Sequence, residues 1–284
     1  MPLLVDISDL HVGSKLGLCP PTVTMDKGGT YRFNKLQAWL WPHYTKLWEM
    51  VKELRQGQEL YIICNGEFRD GVHFTAESFT TNEADITRAV LDVLEPIREC
   101  KPDYTFCFRG SQAHSGLASW YDEFIAQYIA EDFNVQPNPN TGDYASDSLN
   151  LWIDDFLFDV THHVSMGRLP HTEAASIPRA IHNVIGKYGR KERLPDFILR
   201  GHNHRMFDSG PLVKVDQGDG TQHTVRMLTT PGWKFPDSHL HKYSQSVVPH
   251  FGAWLLQIDG DNIETTPYRK QPRRGKAWKK KSPS

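Results

Sequence analysis

The sequence predicts a layered α/β domain. Helix-type and strand-type apolar periodicities alternate along most of the chain, and a run of strand-like segments closes it. Metal-type side chains gather directly after the strand-like runs, at the carboxyl ends where α/β sheets bind their ligands.

The first strand is Leu3 to Ser8, a nearly continuous apolar run ending in Ser8-Asp9-Leu10-His11-Val12-Gly13. Gly- and Pro-rich sequence follows to about residue 30 and reads as a loop. Phe33, Leu36, Leu40, Tyr44, Leu47, Val51 and Leu54 recur at spacings of three and four, which predicts an amphipathic helix; Pro42 predicts a kink in it or its division into two pieces. Glu59 to Cys64 is the second strand and delivers Asn65-Gly66-Glu67-Phe68-Arg69-Asp70-Gly71. A second helix fits Glu83 to Cys100, with Asn82 as its N-cap. The strand Tyr104 to Phe108 delivers Arg109-Gly110-Ser111-Gln112-Ala113-His114, and a helix over 118–131 follows.

Turn residues at 137–142 precede a hairpin, Leu149 to Ile153 and Phe156 to Thr161, which ends at His162-His163. A helix over 173–188 leads to the strand Asp196 to Leu199 and then to Arg200-Gly201-His202-Asn203-His204. Strand-like segments at 212–216, 223–229, 253–258 and 262–266 complete the domain.

Composition bounds the function. The 284 residues, 39% hydrophobic, supply ample material for a core. One domain over 1–267 is expected, because the candidate ligands spread from residue 9 to residue 204. The net charge of −2 excludes a generic polyanion binder, yet 268–284 is a basic appendage. Its stretch 268–281 holds Arg269, Lys270, Arg273, Arg274, Lys276 and Lys279 to Lys281, with Trp278 and no acid. Such a segment is expected to be disordered and can attract nucleic acid. Cys19, Cys64, Cys100 and Cys107 show no C-x-x-C pairing, and Cys64 and Cys107, in apolar strand-like runs, read as reduced, buried thiols. No signal peptide and no membrane span are visible, so a soluble, cytoplasmic protein is expected.

The strand-end residues form the chemical signal. Asp9 and His11, two apart, can converge on one ion. Glu67 can bridge two ions, and His162, His202 and His204 supply neutral nitrogen donors. Mixed carboxylate and imidazole donors suit manganese, iron or zinc better than magnesium or calcium. Two such ions about 3.5–4 Å apart can clamp a phosphate and activate water for in-line attack. Any one of these residues alone reads as a helix cap or an ordinary histidine; their joint placement favours metal.

Asp9-Leu10-His11, Gly66-Glu67-x-x-Asp70-Gly71, Arg109-Gly110, Thr161-His162-His163 and Gly201-His202-Asn203-His204 resemble, in order and spacing, the calcineurin-like metallophosphoesterases. The pattern is most similar to phage- and prophage-encoded members, through R-G-x-x-x-H and Thr230-Pro231-Gly232-Trp233. The resemblance implies a two-sheet β-sandwich flanked by helices, with the metal site at strand carboxyl ends. It implies two divalent transition ions, manganese first and iron, zinc or nickel as alternatives. Asp9, His11 and His204 would hold one ion, His162 and His202 the other, and Glu67 would bridge.

The chain departs from the family at three places. Glu67 stands for the usual Asp, Ser111 for a ligand Asn, and Gln112 for a histidine near the leaving group. His114 is the expected substitute, as a ligand or as a proton donor, with Arg109 stabilising charge. Asp70 is expected to hydrogen-bond a ligand, and His163 to support the site or simply pack. Trp233 is expected to wall the site, stack a base or pack on the sheet. His73, His239 and His241 could line the site but read more simply as loop histidines.

The expected activity is phosphodiester hydrolysis in nucleic acid or nucleotides. The rivals are a catalytically impaired scaffold that binds nucleic acid or a protein partner, and a phosphomonoesterase or protein phosphatase.

Overall fold

The structure, a computed structural model, describes residues 1–71, 77–164, 170–188, 193–211, 213–216, 222–236 and 249–272, without the side chains of 170–177 and 213–216. His73, His239, His241 and the basic segment beyond residue 272 lie outside the described residues.

The chain opens with β1 (Leu3–Ile7), a small hairpin of β2 (Thr22–Thr24) and β3 (Thr30–Arg32), and α1 (Lys35–Arg55). A capping box starts α1: Asn34 accepts from the amides of Leu36 and Gln37, and the Gln37 side chain returns to the Asn34 amide. The helix runs through Pro42 as one element, not as two pieces. Leu40, Tyr44, Leu47, Trp48 and Val51 are buried on both sides of the proline, so one core holds both halves.

There follow β4 (Leu60–Cys64), α2 (Glu83–Arg98, capped by Asn82), β5 (Tyr104–Phe108), the single turn α3 (Gln112–Ser115) and α4 (Trp120–Tyr128). The helix expected over 118–131 therefore starts late. Ala118 and Ser119 sit in the left-handed region, with φ of 53° and 52°, which no α-helix tolerates.

Next come β6 (Ala145–Ser146), the hairpin of β7 (Ser148–Ile153) and β8 (Phe156–Thr161), α5 (Pro170–Tyr188), β9 (Phe197–Arg200) and β10 (Phe207–Asp208). The chain continues through β11 (Val213–Asp216), β12 (Gln222–Thr229), β13 (Phe251–Asp259) and β14 (Asn262–Lys270). Because β14 pairs with β13 as far as Phe251↔Lys270, the expected domain boundary at 267/268 falls inside a strand. Tyr268 is buried and its hydroxyl donates to the His43 carbonyl, so Tyr268, Arg269 and Lys270 belong to the sheet.

Two sheets result, ordered β14-β13-β1-β4-β5-β6 and β10-β12-β9-β8-β7, with β11 on β12. The run β1-β4-β5-β6 is parallel in the first, and β12-β9-β8 is parallel in the second. Alternate residues divide the core, as the two-residue period of a strand requires. Leu4, Ile63, Phe108 and Leu256 face Phe158, Val160, Leu199 and Leu228 between the sheets. Leu3, Val5, Ile7 and Ile62 turn to α1 and α2, while Ile181, Val184 and Tyr188 of α5 cover Ile198 and Met227. This is the expected two-sheet sandwich with helices outside. The four cysteines are free and buried. No described helix is long and apolar enough to cross a membrane.

A buried ion pair fixes the strand end that feeds Gly201. Arg200 bonds Asp159 through its guanidinium, which also reaches the Asp159 carbonyl at 2.9 Å, and the Tyr188 hydroxyl donates to the same carboxylate. Removing one partner of such a pair leaves a buried charge. Arg200→Leu is expected to lower unfolding free energy by about 3–5 kcal/mol, read from urea denaturation.

Candidate metal centre

Five strands deliver the candidate side chains: β1 leads to Asp9 and His11, β4 to Glu67 and Asp70, β5 to Ser111 and His114, β8 to His162 and His163, β9 to His202 and His204. Backbone bonds tie these ends together. The Asp9 and His11 amides donate to the carbonyls of Gly66 and Glu67, the Gly201 amide to His162, and the Trp233 amide to Asp9. Asp9, His11, Glu67, His202 and His204 all have positive φ, from 49° to 71°. Residues with a Cβ adopt that region at a cost, and five of the six expected ligands share it. The tight reversals it produces turn each side chain back across the strand ends.

One cluster joins Asp9, His11, Glu67 and His204. His11 Nε2 lies 2.9 Å from Glu67 Oε2 and 3.0 Å from His204 Nε2, and His204 Nε2 lies 3.2 Å from Asp9 Oδ1. Donors held about 2.0–2.2 Å from one ion stand roughly 3–3.5 Å from each other, so this spacing fits a transition metal. A second cluster joins His162, His163 and His202. It meets the first through Glu67, whose Oε1 lies 3.3 Å from His162 Nε2 and 4.0 Å from His202 Nδ1. Glu67 therefore turns one oxygen to each cluster.

Two buried atoms support the fit. Asp9 Oδ1 and His162 Nε2 have no hydrogen-bond partner, although such groups are costly to leave unpaired. His162 Nδ1 is 2.6 Å from the Asn65 carbonyl, which places the proton there and aims the Nε2 lone pair into the cluster. Asp9 Oδ2 is already engaged by the His202 amide at 3.0 Å and by the Ser8 hydroxyl, so Oδ1 is the free donor.

The charges point the same way. Burial disfavours the imidazolium of His11, yet Glu67 and Asp70 beside it hold it well above the ordinary value. Burial likewise opposes a charged His162, but Asp9 and Glu67 push it up to about 9. Asp9, Glu67 and Asp70 stay below the usual carboxylate range despite burial, because imidazoles surround them. Carboxylates gathered at one buried spot stabilise positive charge there, and a divalent ion supplies it most directly.

Asp70 accepts from His114 and Lys234 and faces His11. His114 Nδ1 is 2.5 Å from Oδ1, His11 Nδ1 is 3.7 Å from it, and Lys234 Nζ is 2.8 Å from Oδ2. His114 thus sits beside the cluster, its ring 4.6 Å from that of His11. Lys234, 6% exposed, escaped the sequence reading: a single lysine after Trp233 carries no pattern, and its partner is 164 positions away.

The third motif behaves differently from the expectation. The Ser111 amide and hydroxyl both donate to Glu67 Oε1, so Ser111 holds the bridging carboxylate. Gln112 is exposed on α3. Arg109, expected to stabilise charge at phosphorus, turns its guanidinium to Glu123, Asp143 and Asp147 at 3.2–3.8 Å, and no described contact joins it to the clusters. Trp233 neither stacks nor walls; it is fully buried against Tyr44 and contributes its amide to Asp9. His163 is exposed, with its ring 5.1 Å from His162 and 5.2 Å from His202.

The Glu-for-Asp departure has a steric counterpart. A Cβ on Gly110 would lie 2.3 Å from Glu67 Cγ, so the extra methylene of Glu67 occupies space that glycine leaves. Gly232 does the same for His204, whose ring would meet a Cβ at 2.8 Å.

No protein-family model and no curated protein matches the chain. Similar solved structures include an archaeal phosphodiesterase, at 12% identity and a TM-score of 0.42, over 93% of this chain and 99% of that one. Zinc-complexed Vps29 from Entamoeba histolytica is similar at 11% identity and a TM-score of 0.39, over 95% and 98%. A 5'-nucleotidase from Candida albicans SC5314 gives 10% identity and a TM-score of 0.33, over 94% of this chain and 50% of that one. At such similarity no residue role transfers, and the functional reading rests on this chain's own geometry.

Proposed function

We propose that this protein is a metal-dependent phosphoesterase of the calcineurin-like type, with the phage-like motif pattern, acting on phosphodiesters of nucleic acid or nucleotides. The observation that carries the reading is Glu67, which divides its two oxygens between two groups of imidazoles. Two divalent transition ions, manganese first and iron, zinc or nickel otherwise, would supply Lewis-acid polarisation of the phosphoryl group and activation of water. Asp9, His11 and His204 would hold one ion and His162 and His202 the other, with Glu67 between them and His163 at the exposed rim.

The remaining residues orient these donors. Ser111 fixes the Glu67 carboxylate, Asn65 the His162 ring, and Asp70 takes the far nitrogen of His114. With Nδ1 committed to Asp70, His114 has Nε2 left to hold a proton and deliver it to the leaving oxygen. Lys234 keeps Asp70 in place from its other oxygen.

Protein purified without chelator is expected to contain two ions by elemental analysis and to hydrolyse bis(p-nitrophenyl) phosphate with manganese. One ion or none, with no turnover under any metal, would favour the scaffold reading, which the replacement of a ligand residue by Ser111 keeps specific. His114→Ala is expected to keep both ions and to slow esters with poor alkoxide leaving groups by about 100-fold, leaving p-nitrophenyl esters little changed. Loss of one ion would instead make His114 a ligand; unchanged ions and rates would make it a bystander.

A further inference from the structure

Neighbouring strands of a parallel sheet end side by side, and β8 and β9 do so in register, Thr161 against Arg200. Just beyond, the Gly201 amide donates to the His162 carbonyl at 3.0 Å, so His162-His163 and His202 leave the sheet as neighbours. His162 and Val164 are buried and fix the backbone on both sides of His163. The exposed His163 ring is thus held at the rim of the centre by its own neighbours.

The three rings close on one another. Their centroids stand 5.1 Å apart for His162 and His163, 5.2 Å for His163 and His202, and 5.3 Å for His162 and His202. The planes meet at 79°, 65° and 74°, so no pair is stacked. Imidazole binds an ion through a nitrogen lone pair in the ring plane, so rings that share an ion meet by their edges. One ring nitrogen from each of the three lies within 4.8 Å of the others. The His162 Nε2 among them is fully buried and has no hydrogen-bond partner.

Donor counting points to the third ring. Asp9, His11, His204 and one Glu67 oxygen give the first group four donors. The other Glu67 oxygen with His162 and His202 gives the second group three, and His163 brings it to the four of a tetrahedral transition-metal shell. The neighbouring candidates are engaged elsewhere. Ser111 spends its amide and its hydroxyl proton on Glu67 Oε1. His114 gives Nδ1 to Asp70 and its ring lies against His11, on the side of the first group.

We propose that His163 is a ligand of the second ion, beside His162, His202 and Glu67. The proposal rests on the two-ion reading above. It makes the two sites unlike, with two carboxylates and two imidazoles at the first and one carboxylate and three imidazoles at the second. An imidazole-rich shell suits zinc, iron or nickel, and zinc is the probe of choice.

The test is zinc binding to metal-stripped protein, read by competition with a chromogenic chelator. Wild type is expected to bind two ions, and His202→Ala sets the standard for loss of the second. His163→Ala and His163→Phe should each keep one ion and hold the other about 100-fold more weakly or not at all. That exceeds the roughly 10- to 100-fold cost of losing a contact that only supports a ligand. Phenylalanine keeps the ring contacts and removes both nitrogens. A second ion bound with wild-type affinity by His163→Phe therefore marks a packing role and overturns the proposal. The same affinity in His163→Ala, where His202→Ala loses the ion, also overturns it and leaves the two-ion reading standing. Wild type that binds one ion or none fails the two-ion reading itself, and the assignment of His163 falls with it.

Discussion

Glu67→Gln is expected to strip both ions and to cut manganese-dependent phosphodiester hydrolysis by about three orders of magnitude, ~4 kcal/mol of lost stabilisation. The amide keeps the shape of the side chain but removes the carboxylate that turns one oxygen to each imidazole group. It also presents an N–H to His11, His162 or the Ser111 amide, each of which now meets an oxygen at 2.9–3.3 Å. Elemental analysis together with hydrolysis of bis(p-nitrophenyl) phosphate reads both effects. His204→Ala makes a graded comparison. It removes one donor of the first cluster and leaves the His162 and His202 cluster intact, so metal and activity should fall while the second group keeps its geometry. Two retained ions in Glu67→Gln would show that this residue does not bridge.

Gly110→Ala is the second large effect, from a single added methyl. The new Cβ would lie 2.3 Å from Glu67 Cγ and 2.8 Å from the Glu67 amide nitrogen, and neither atom belongs to a flexible chain end. Overpacking of this kind costs about 1–3 kcal/mol. The strain falls on the bridging residue, so metal affinity should drop by at least the 10- to 100-fold seen when a ligand's supporting contacts are lost. Gly186→Ala is the control. A Cβ there meets nothing within 4 Å, and alanine favours helix α5, so stability should hold or improve slightly. If Gly110→Ala binds metal like wild type, the packing account of Glu67 is wrong.

Much of this protein is legible in its sequence. The periods of three to four and of two locate α1, α2 and most strands to within a few residues, because burial against a single core imposes those periods. Asp9, His11, Glu67, His162, His202 and His204 stand out for the same reason: each follows a buried strand by a residue or a few, and strand ends of a parallel sheet lie side by side. Spacing along the chain therefore identifies which side chains meet.

Only the tertiary structure decides how they meet. Positive φ at Asp9, His11, Glu67, His202 and His204 is set by contacts between distant loops, and no local residue preference announces it. The sequence marks Arg109 and Trp233 for the site by their place in motifs. The folded chain pairs Arg109 with Glu123, Asp143 and Asp147 and buries Trp233 behind Asp9, since those partners come from other strands and loops. Ser111 appears as a lost ligand until its hydroxyl is seen on Glu67, and Lys234 carries no signal until Asp70 comes within 2.8 Å. Asp122 of α4 is a further case, because it turns inward where the amides of Gly110 and Phe68 await it. Periodicity records which face is buried; which polar partner a buried group finds is fixed by contacts far apart in the chain, and those exist only once it is folded.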